Sequence, residues 1–151
     1  MSNPAAVPFA TTLLVRDSCL CLHLQRATRA VARRFDAMLR PLGLTSGQFS
    51  LLMALNRPAP PTIGSVSALL AMDRTTLTAN LKPLERRGLV AVSIDEADKR
   101  SRRLALTPSG RTVLAAAVPV WQRTHTAIEQ LLPGREPEML RGELRALSGS
   151  D

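Results

Sequence analysis

The chain has 151 residues, of which 45% are hydrophobic, and a formal net charge of +8. This length permits one sizeable core, and the basic balance indicates an acidic partner. The sequence has no uninterrupted run of 18 apolar residues, and its first 14 residues lack the basic start of a signal peptide, so we expect a cytoplasmic protein without a membrane span.

Two helices are predicted in the first third of the chain. Apolar residues at steps of three and four predict a long first helix over residues 17–42. Thr45 or Ser46 can cap a second helix, which runs until Asn56 and the proline cluster that follows it.

A helix-turn-helix and a hairpin are predicted next. Thr62 caps a short helix, and Asp73 caps a charged helix after a two-residue gap. Gly88 ends this charged helix. Apolar and smaller residues then alternate over residues 89–94 and again over residues 103–106, which predicts two strands joined by the charged turn DEADKRSR.

The charged helix has a distinctive exposed face. Leu77, Leu81 and Leu84 recur at helical spacing and define its buried side. Small and polar residues are left outside, where they let a helix backbone approach a groove and offer hydroxyls and methyls to phosphates and base edges. We expect Pro83 to kink this helix slightly without ending it.

Positive charge is concentrated on this unit. The segment from Arg74 to Arg111 holds nine Lys or Arg and four Asp or Glu, an excess of +5. The basic residues of the helix and of the turn are Arg74, Lys82, Arg86, Arg87, Lys99, Arg100, Arg102 and Arg103. A solvated face usually mixes the two signs, whereas this clustering suits the grip of a duplex.

The carboxyl end is again helical. Thr107 and the proline after it predict the start of a helix that runs to about Leu132, followed by a last short helix. A helix-turn-helix with a wing needs only about 45 residues, so apolar stripes remain at both ends of the chain. We expect a homodimer to cover them; the alternative is that the terminal helices fold back as ordinary core.

The predicted fold class is therefore mostly α with a small β-hairpin wing. It is a single domain over residues 1–151. Dimerisation helices over residues 17–42 and 107–148 flank a winged helix-turn-helix lobe over residues 45–106.

The run DRTTLTANLKPLERRGLV, followed by D-x-R at Asp98 and Arg100 and by LALTPSGR, closely resembles the MarR family of bacterial transcriptional regulators. The resemblance continues upstream through LRPLGLTSGQFSLLMAL and covers roughly residues 18–130. It implies a homodimer with each recognition helix in the major groove and each wing in the minor groove. Such regulators usually repress from a pseudo-palindromic operator and release it when a small ligand or an oxidant shifts the spacing of the two lobes.

The resemblance also assigns residues to DNA. It implies a recognition helix over residues 73–87, with Arg100 as the wing arginine and Asp98 as the wing acid. A guanidinium suits a narrow, electronegative minor groove, although a phosphate contact or an ion pair with Asp98 is the alternative for Arg100. Asn80 is equally compatible with a solvated helix residue. The predicted DNA-binding residues are Arg74, Thr75, Thr76, Thr78, Asn80, Lys82, Arg86, Arg100 and Arg102.

A small-molecule effector is expected where the dimerisation helices meet the DNA-binding lobe, as the resemblance implies. Only 3% of the residues are aromatic and none is a tyrosine, so few side chains can line a pocket for phenolic compounds. Phe35, Phe49 and Trp121 are the candidate lining residues, although each is also compatible with ordinary core.

Cys21 offers an alternative signal. Its surroundings resemble the region that holds the reactive cysteine of the organic-hydroperoxide-sensing branch of the family. That branch uses tyrosines to orient its thiol, and Gln25 and Phe35 stand at the corresponding places here. Redox sensing therefore competes with a role for Cys21 as a small hydrophobe.

No metal site, cofactor or enzymatic activity is predicted. Cys19, His23 and His125 are too few to complete a metal coordination shell. The sequence has no glycine-rich phosphate loop, no G-x-S-x-G turn and no paired carboxylates in an apolar setting. A remoter alternative is an interaction protein whose basic face binds acidic proteins or RNA, but single-stranded RNA favours aromatic stacking platforms that this chain lacks.

Overall fold

The structure is a computed structural model that describes residues 6–134 and 136–149. The described residues form seven α-helices and one short antiparallel hairpin, so the mostly helical class with a β-hairpin wing is confirmed. The elements are α1 (Phe9–Ser18), α2 (Leu20–Leu39), α3 (Ser46–Leu55), α4 (Ile63–Leu69), α5 (Arg74–Arg86), β1 (Val90–Ile94), β2 (Arg102–Leu106), α6 (Pro108–Glu129) and α7 (Pro137–Ser148).

The prediction of one helix over residues 17–42 is wrong at both ends. An additional helix, α1, precedes Cys19, whose backbone is extended with ψ 110° and separates α1 from α2. At the other end Pro41 lacks the N–H that would continue the α-helix, and the chain tightens into a 3-10 turn over Arg40–Leu42. Gly43 then reverses the backbone at φ +67°, a conformation that favours glycine.

The predicted helix starts are confirmed by their capping bonds. Thr45, and not Ser46, caps α3 in a reciprocal capping box with Gln48. The hydroxyl of Thr107 accepts the Gly110 N–H at 3.0 Å and caps α6 in the same way. Pro83 lies inside α5 without ending it. The predicted end of α6 at Leu132 is wrong by three residues, because the regular helix stops at Glu129.

The hydrophobic core lies beneath the helix-turn-helix and the wing. Leu77, Leu81 and Leu84 of α5 point into it, as their spacing predicts. α3 packs against α2, α4, α5 and α6, and therefore occupies the centre of the lobe. The largest fully buried side chains are Leu39, Leu51, Leu52, Leu77, Leu84, Leu104 and Val66. Each such side chain contributes about 1.5–3 kcal/mol of transfer free energy, so α5 is firmly seated.

One isolated bridge flanks the two-stranded wing sheet. β1 pairs with β2 in a register that aligns Val90 with Leu106 and Ile94 with Arg102. On the other side of β2, Thr62 forms an antiparallel bridge with Arg103. The proline-rich connector between α3 and α4 thus lies along the edge of β2 that does not face β1.

The terminal helices contribute little to the core of a single chain. α1 and α7 bury no residue in the described structure, and α2 buries only Leu39. Large apolar side chains at the two ends that remain exposed are Val7, Phe9, Leu14, Val15, Leu20, Leu131, Met139, Leu144 and Leu147. Within the described ranges, no helix has both the length and the apolar character required to cross a bilayer.

Candidate nucleic-acid interface

The outer face of α5 is formed by small and basic side chains. Thr75, Ala79, Lys82 and Arg86 are exposed, and Thr78 is half-buried. The leucines on the opposite side fix the orientation of this face relative to the core. The arrangement leaves an open helix surface with threonine hydroxyls toward its beginning and cations toward its end.

The beginning of α5 is held by Asp73. One carboxylate oxygen of Asp73 accepts the Thr76 N–H at 2.8 Å, and the other accepts the Thr76 hydroxyl at 2.9 Å. These bonds lower the pKa of Asp73 below its usual value. Thr76, predicted to bind DNA, thus has its hydroxyl proton directed at the cap, and the ionised cap complements the helix dipole.

Asn80 lies half-buried on α5. Its Nδ2 donates to the Thr76 carbonyl at 3.0 Å and approaches Met72 Sδ at 4.0 Å. A Cβ on Gly47, at the start of α3, would lie 3.9 Å from Asn80 Oδ1. The side chain therefore lies against its own lobe, which differs from the fully solvated alternative.

Arg100 and Asp98 lie together at the exposed tip of the wing. Asp98 Oδ1 accepts the backbone N–H of Arg100 at 3.0 Å, and the Asp98 carbonyl accepts the Ser101 N–H at 2.8 Å. Asp98 thus closes the turn through the backbone, and does not pair with the Arg100 guanidinium within the described structure. Arg100 is exposed, so its guanidinium is accessible to an external anion.

Arg102 has a different environment from Arg100. Its Nη1 donates to the carbonyls of Lys99 and Ser101, at 3.3 and 3.1 Å. The side chain therefore folds along the turn, although the residue as a whole stays exposed. On the helix, Arg74 also approaches its own lobe, because a Cβ on Gly64 would meet Arg74 Nη2 at 3.3 Å.

Two arginines that sequence reasoning counted with the basic surfaces are structural anchors. Arg87 donates to the carbonyls of Gly43 and Leu42, at 2.5 and 3.3 Å, and so ties the end of α5 to the 3-10 turn. Arg103 donates to Asp95 and to Pro60 at the base of the wing. Asp95 was not singled out from the sequence, although its place just beyond the Ile94 position in the hairpin puts it near β2.

Two of the three predicted pocket residues share a cavity. A space of about 460 Å³ between α3, α4 and α6 is lined by Phe49, Ser50, Met53, Ala54, Leu69, Leu70, Val118 and Trp121. The Trp121 ring stacks on Phe49 with centroids 6.3 Å apart and on His125 at 4.7 Å. Phe35 does not line this space; it packs half-buried against the core.

Cys21 is exposed near the start of α2. Gln25 Nε2 lies 3.4 Å from Cys21 Sγ, and a groove beside the thiol is bordered by Leu24 and Leu147. The Gln25 side-chain amide thus lies within hydrogen-bonding distance of the sulfur.

The carbonyl of Cys19 lies 2.8 Å from His23 Nδ1, so this ring is engaged with its own helix. In the part of the chain that the structure describes, no group of three His, Cys, Asp or Glu side chains is arranged to hold a metal ion.

Comparison with known proteins identifies the family. The MarR family model matches residues 42–101, which run from the 3-10 turn through the wing tip. The organic hydroperoxide resistance transcriptional regulator of Bacillus subtilis is 30% identical over 104 residues, which cover 69% of this chain and 71% of that protein. The transcriptional activatory protein BadR of Rhodopseudomonas palustris is 42% identical over 74 residues, which cover 47% of this chain and only 42% of BadR.

A solved structure extends the likeness to the whole fold. The crystal structure of the Mycobacterium tuberculosis transcriptional regulator MosR in complex with DNA superposes with a TM-score of 0.79 at 35% identity. The match covers 87% of this chain and 95% of that one. The chain belongs to the MarR family of transcriptional regulators and has their winged-helix fold.

Proposed function

We propose that the protein is a sequence-specific DNA-binding transcriptional regulator that presents α5 to the major groove and the wing tip to the adjacent minor groove. The main support for this proposal is that the open face of α5 and the exposed Arg100 belong to one lobe with a common core. The DNA complex of the related MosR supports the proposal. A helix and a hairpin in fixed relation match neighbouring grooves of a duplex.

Within this interface, the side chains divide by chemistry. Thr75 and Thr78 offer hydroxyls and methyls to base edges and phosphates. Lys82 and Arg86, four residues apart on the same exposed face, bind phosphates. Arg100 reads the narrow minor groove.

The remaining predicted contacts have roles in shaping the surface. Thr76 and Asn80 hold the start of α5 through bonds to Asp73 and to the helix backbone. Arg74 lies near α4, and the Arg102 side chain folds along the turn that carries Arg100. Both side chains stay close to the protein surface, and each adds positive charge to the face that meets the phosphates.

The protein acts as a homodimer. Within the described residues of one chain the apolar side chains of α1 and α7 remain exposed, and a second copy provides a matching surface by two-fold symmetry. Two lobes related in this way read a pseudo-palindromic operator with half-sites about 34 Å apart, or about one helical turn. Occupation of such an operator blocks transcription, so repression is the proposed mode of control.

A small apolar ligand releases the operator. The cavity beside Phe49 and Trp121 lies between α6, which leads toward the terminal helices, and α3 with α4, which belong to the DNA-binding lobe. A ligand that fits one spacing of these elements better than another shifts the distance between the two recognition helices.

Selection of bound sequences from random duplex DNA tests the proposal. We expect an enriched inverted repeat with half-sites about one helical turn apart. The affinity for the selected duplex should fall steeply as salt rises, because phosphate contacts release counterions. No enrichment, or an affinity insensitive to salt, would contradict DNA binding, and a monomer by light scattering at the binding concentration would contradict the two-fold arrangement.

A thiol-based signal at Cys21 is the second candidate. It is favoured by the exposure of the thiol and its contact with the Gln25 amide, and by the name of the Bacillus subtilis relative. Treatment with an organic hydroperoxide should then weaken binding to the selected duplex, and Cys21→Ser should be insensitive. Equal sensitivity of wild type and Cys21→Ser would exclude this mechanism, with Cys19→Ser as the matched control.

A further inference from the structure

An ion pair lies at the base of the wing. Arg103 Nε donates to Asp95 Oδ1 at 3.1 Å, and the Asp95 side chain is only 8% exposed. The same carboxylate oxygen accepts the Ala97 N–H at 3.2 Å, and the Asp95 N–H donates to the Ser101 carbonyl at 3.2 Å. Asp95 therefore holds both ends of the wing turn and the guanidinium of Arg103 at once.

The same guanidinium is attached to the proline-rich connector. Arg103 Nη1 donates to the Pro60 carbonyl at 2.7 Å. The next residue of β2, Leu104, donates its backbone N–H to the Pro61 carbonyl at 3.0 Å. β2 is thus fixed on one side by β1 and on the other by the connector, and these bonds set the direction in which the hairpin leaves the lobe.

We propose that Asp95 and Arg103 position the wing for DNA, and that Arg103 is not itself a DNA ligand. This inference rests on the proposed function, because it assigns a role within DNA binding. The Nε and Nη1 donors of Arg103 are already engaged by protein oxygens. Loss of Arg103 leaves the buried Asp95 carboxylate without its counterpart, and neutralising Asp95 removes the charged partner of the half-exposed Arg103 guanidinium. Either change lets the turn that carries Arg100 change its angle.

The competing role of Arg103 is a phosphate contact like that of Lys82. The two roles predict opposite results for Asp95→Asn. If Arg103 bound phosphate, neutralising Asp95 would free the guanidinium, remove a negative charge near the duplex and strengthen binding. If the pair positions the wing, Asp95→Asn weakens binding, because the hairpin loses its fixed direction.

Binding of the selected duplex by three variants provides the test. We expect Asp95→Asn and Arg103→Gln each to weaken binding about tenfold, and the double variant to bind no worse than either single variant, because the residues act as one unit. The slope of log affinity against log salt should stay at the wild-type value. Lys82→Gln is the matched control, and it should reduce that slope by about 1.

Hydrogen exchange without DNA provides an independent measurement. The amides of Asp95 and Leu104 should exchange about tenfold faster in both single variants, because their partners lie on the two sides of the disrupted pair. Arg103→Lys keeps the positive charge but loses the guanidinium that bonds Asp95 and Pro60 at once. Its affinity for the duplex should lie between those of Arg103→Gln and the wild type. A smaller salt slope in Arg103→Gln, tighter binding by Asp95→Asn, or unchanged exchange would overturn the inference.

Failure of the inference differs visibly from failure of the proposed function. In the first case the wild-type protein still binds the selected duplex with a steep salt dependence, and only the variants depart from expectation. In the second case the wild-type protein itself shows no such binding, which overturns both. Thermal unfolding of each variant at the wild-type protein concentration identifies any variant that does not fold, and the affinity of Arg103→Lys for the selected duplex then decides.

Discussion

Gly110 lies where the first turn of α6 meets the end of the recognition-helix segment. A Cβ built on it would lie 2.0 Å from the Leu89 carbonyl oxygen and 3.4 Å from Leu106 Cδ2. The same Leu89 oxygen accepts the Thr107 N–H at 3.1 Å, and the Thr107 hydroxyl donates to the Gly88 carbonyl at 2.5 Å. Gly110→Ala therefore pushes α6 away from backbone atoms to which it is hydrogen-bonded.

The cost follows from these distances. Relief of the contact requires a shift of about 1 Å, because real Cβ atoms rarely approach another atom within 3.0 Å. Such overpacking costs about 1–3 kcal/mol, and a weakened Thr107 bond adds about 1 kcal/mol. Alanine recovers up to about 1 kcal/mol of helix propensity. We expect a net loss of about 1–3 kcal/mol, or a fall in Tm of about 2–12 °C.

Denaturant and thermal unfolding at a fixed protein concentration measure this loss, since dimerisation makes apparent stability depend on concentration. Gly142→Ala in α7 is the matched control: its added Cβ has no neighbour nearer than Arg145 Nη2 at 3.9 Å, so it should be neutral or stabilise by up to about 1 kcal/mol. If Gly110→Ala unfolded at the wild-type midpoint, the close packing of α6 on the lobe would be refuted.

Further predictions concern the DNA surface, the end of the chain and one helix cap. Arg100→Ala should weaken binding and reduce preference for A·T-rich flanks by about 1 kcal/mol; unchanged preference in a competition assay would exclude minor-groove reading. The pKa of Glu138 is lowered to about 2 by hydrogen bonds from Arg145 and then Arg141. Ionised Glu138 should therefore stabilise the fold fully above the ordinary pKa of a glutamate, and this stabilisation should be lost as pH falls toward 2. In a circular dichroism titration, Glu138→Gln should remove this pH dependence of stability. Thr45→Ala should cost about 1 kcal/mol by denaturant unfolding, with Ser46→Ala, which lies outside the cap position, as its control.

Sequence periodicity was sufficient for the elements whose signals are local. Leu77, Leu81 and Leu84 predicted the buried side of α5, and Thr62, Asp73 and Thr107 predicted where helices begin. Those signals act within one or two turns and do not depend on the rest of the fold. The wing followed from alternation in the same way.

What the sequence could not supply depends on contacts between distant segments. Arg87 and Arg103 look like the other basic residues in the chain, yet each donates to carbonyls more than 40 positions away. The first helix was predicted to begin near residue 17, whereas the backbone at Cys19 is extended and α2 begins at Leu20. The sequence shows that a residue is a cation. Only tertiary contacts determine whether that cation binds carbonyls of its own chain or stays accessible to DNA.

The basic residues of the lobe fall into two groups: some are hydrogen-bonded to carbonyls of the protein, and others are exposed. Prediction of its surface from charge alone would overstate the number of cations available to a duplex, because Arg87 and Arg103 are engaged with carbonyl oxygens. Among the described residues of the lobe, Lys82 and Arg86 make no such bond and lie on the exposed end of α5, and Arg100 is exposed at the wing tip. The DNA-binding residues therefore remain predictions whose weight depends on exposure as well as residue type.

The proline-rich connector has a consequence for association between molecules. Pro60 and Pro61 supply carbonyls to Arg103 and Leu104 of β2, and as prolines neither residue has a backbone N–H. The outer edge of the wing sheet therefore cannot pair fully with a strand from another chain. The connector therefore blocks strand addition at the β2 edge of the sheet, so that among the described residues the free edge is that of β1.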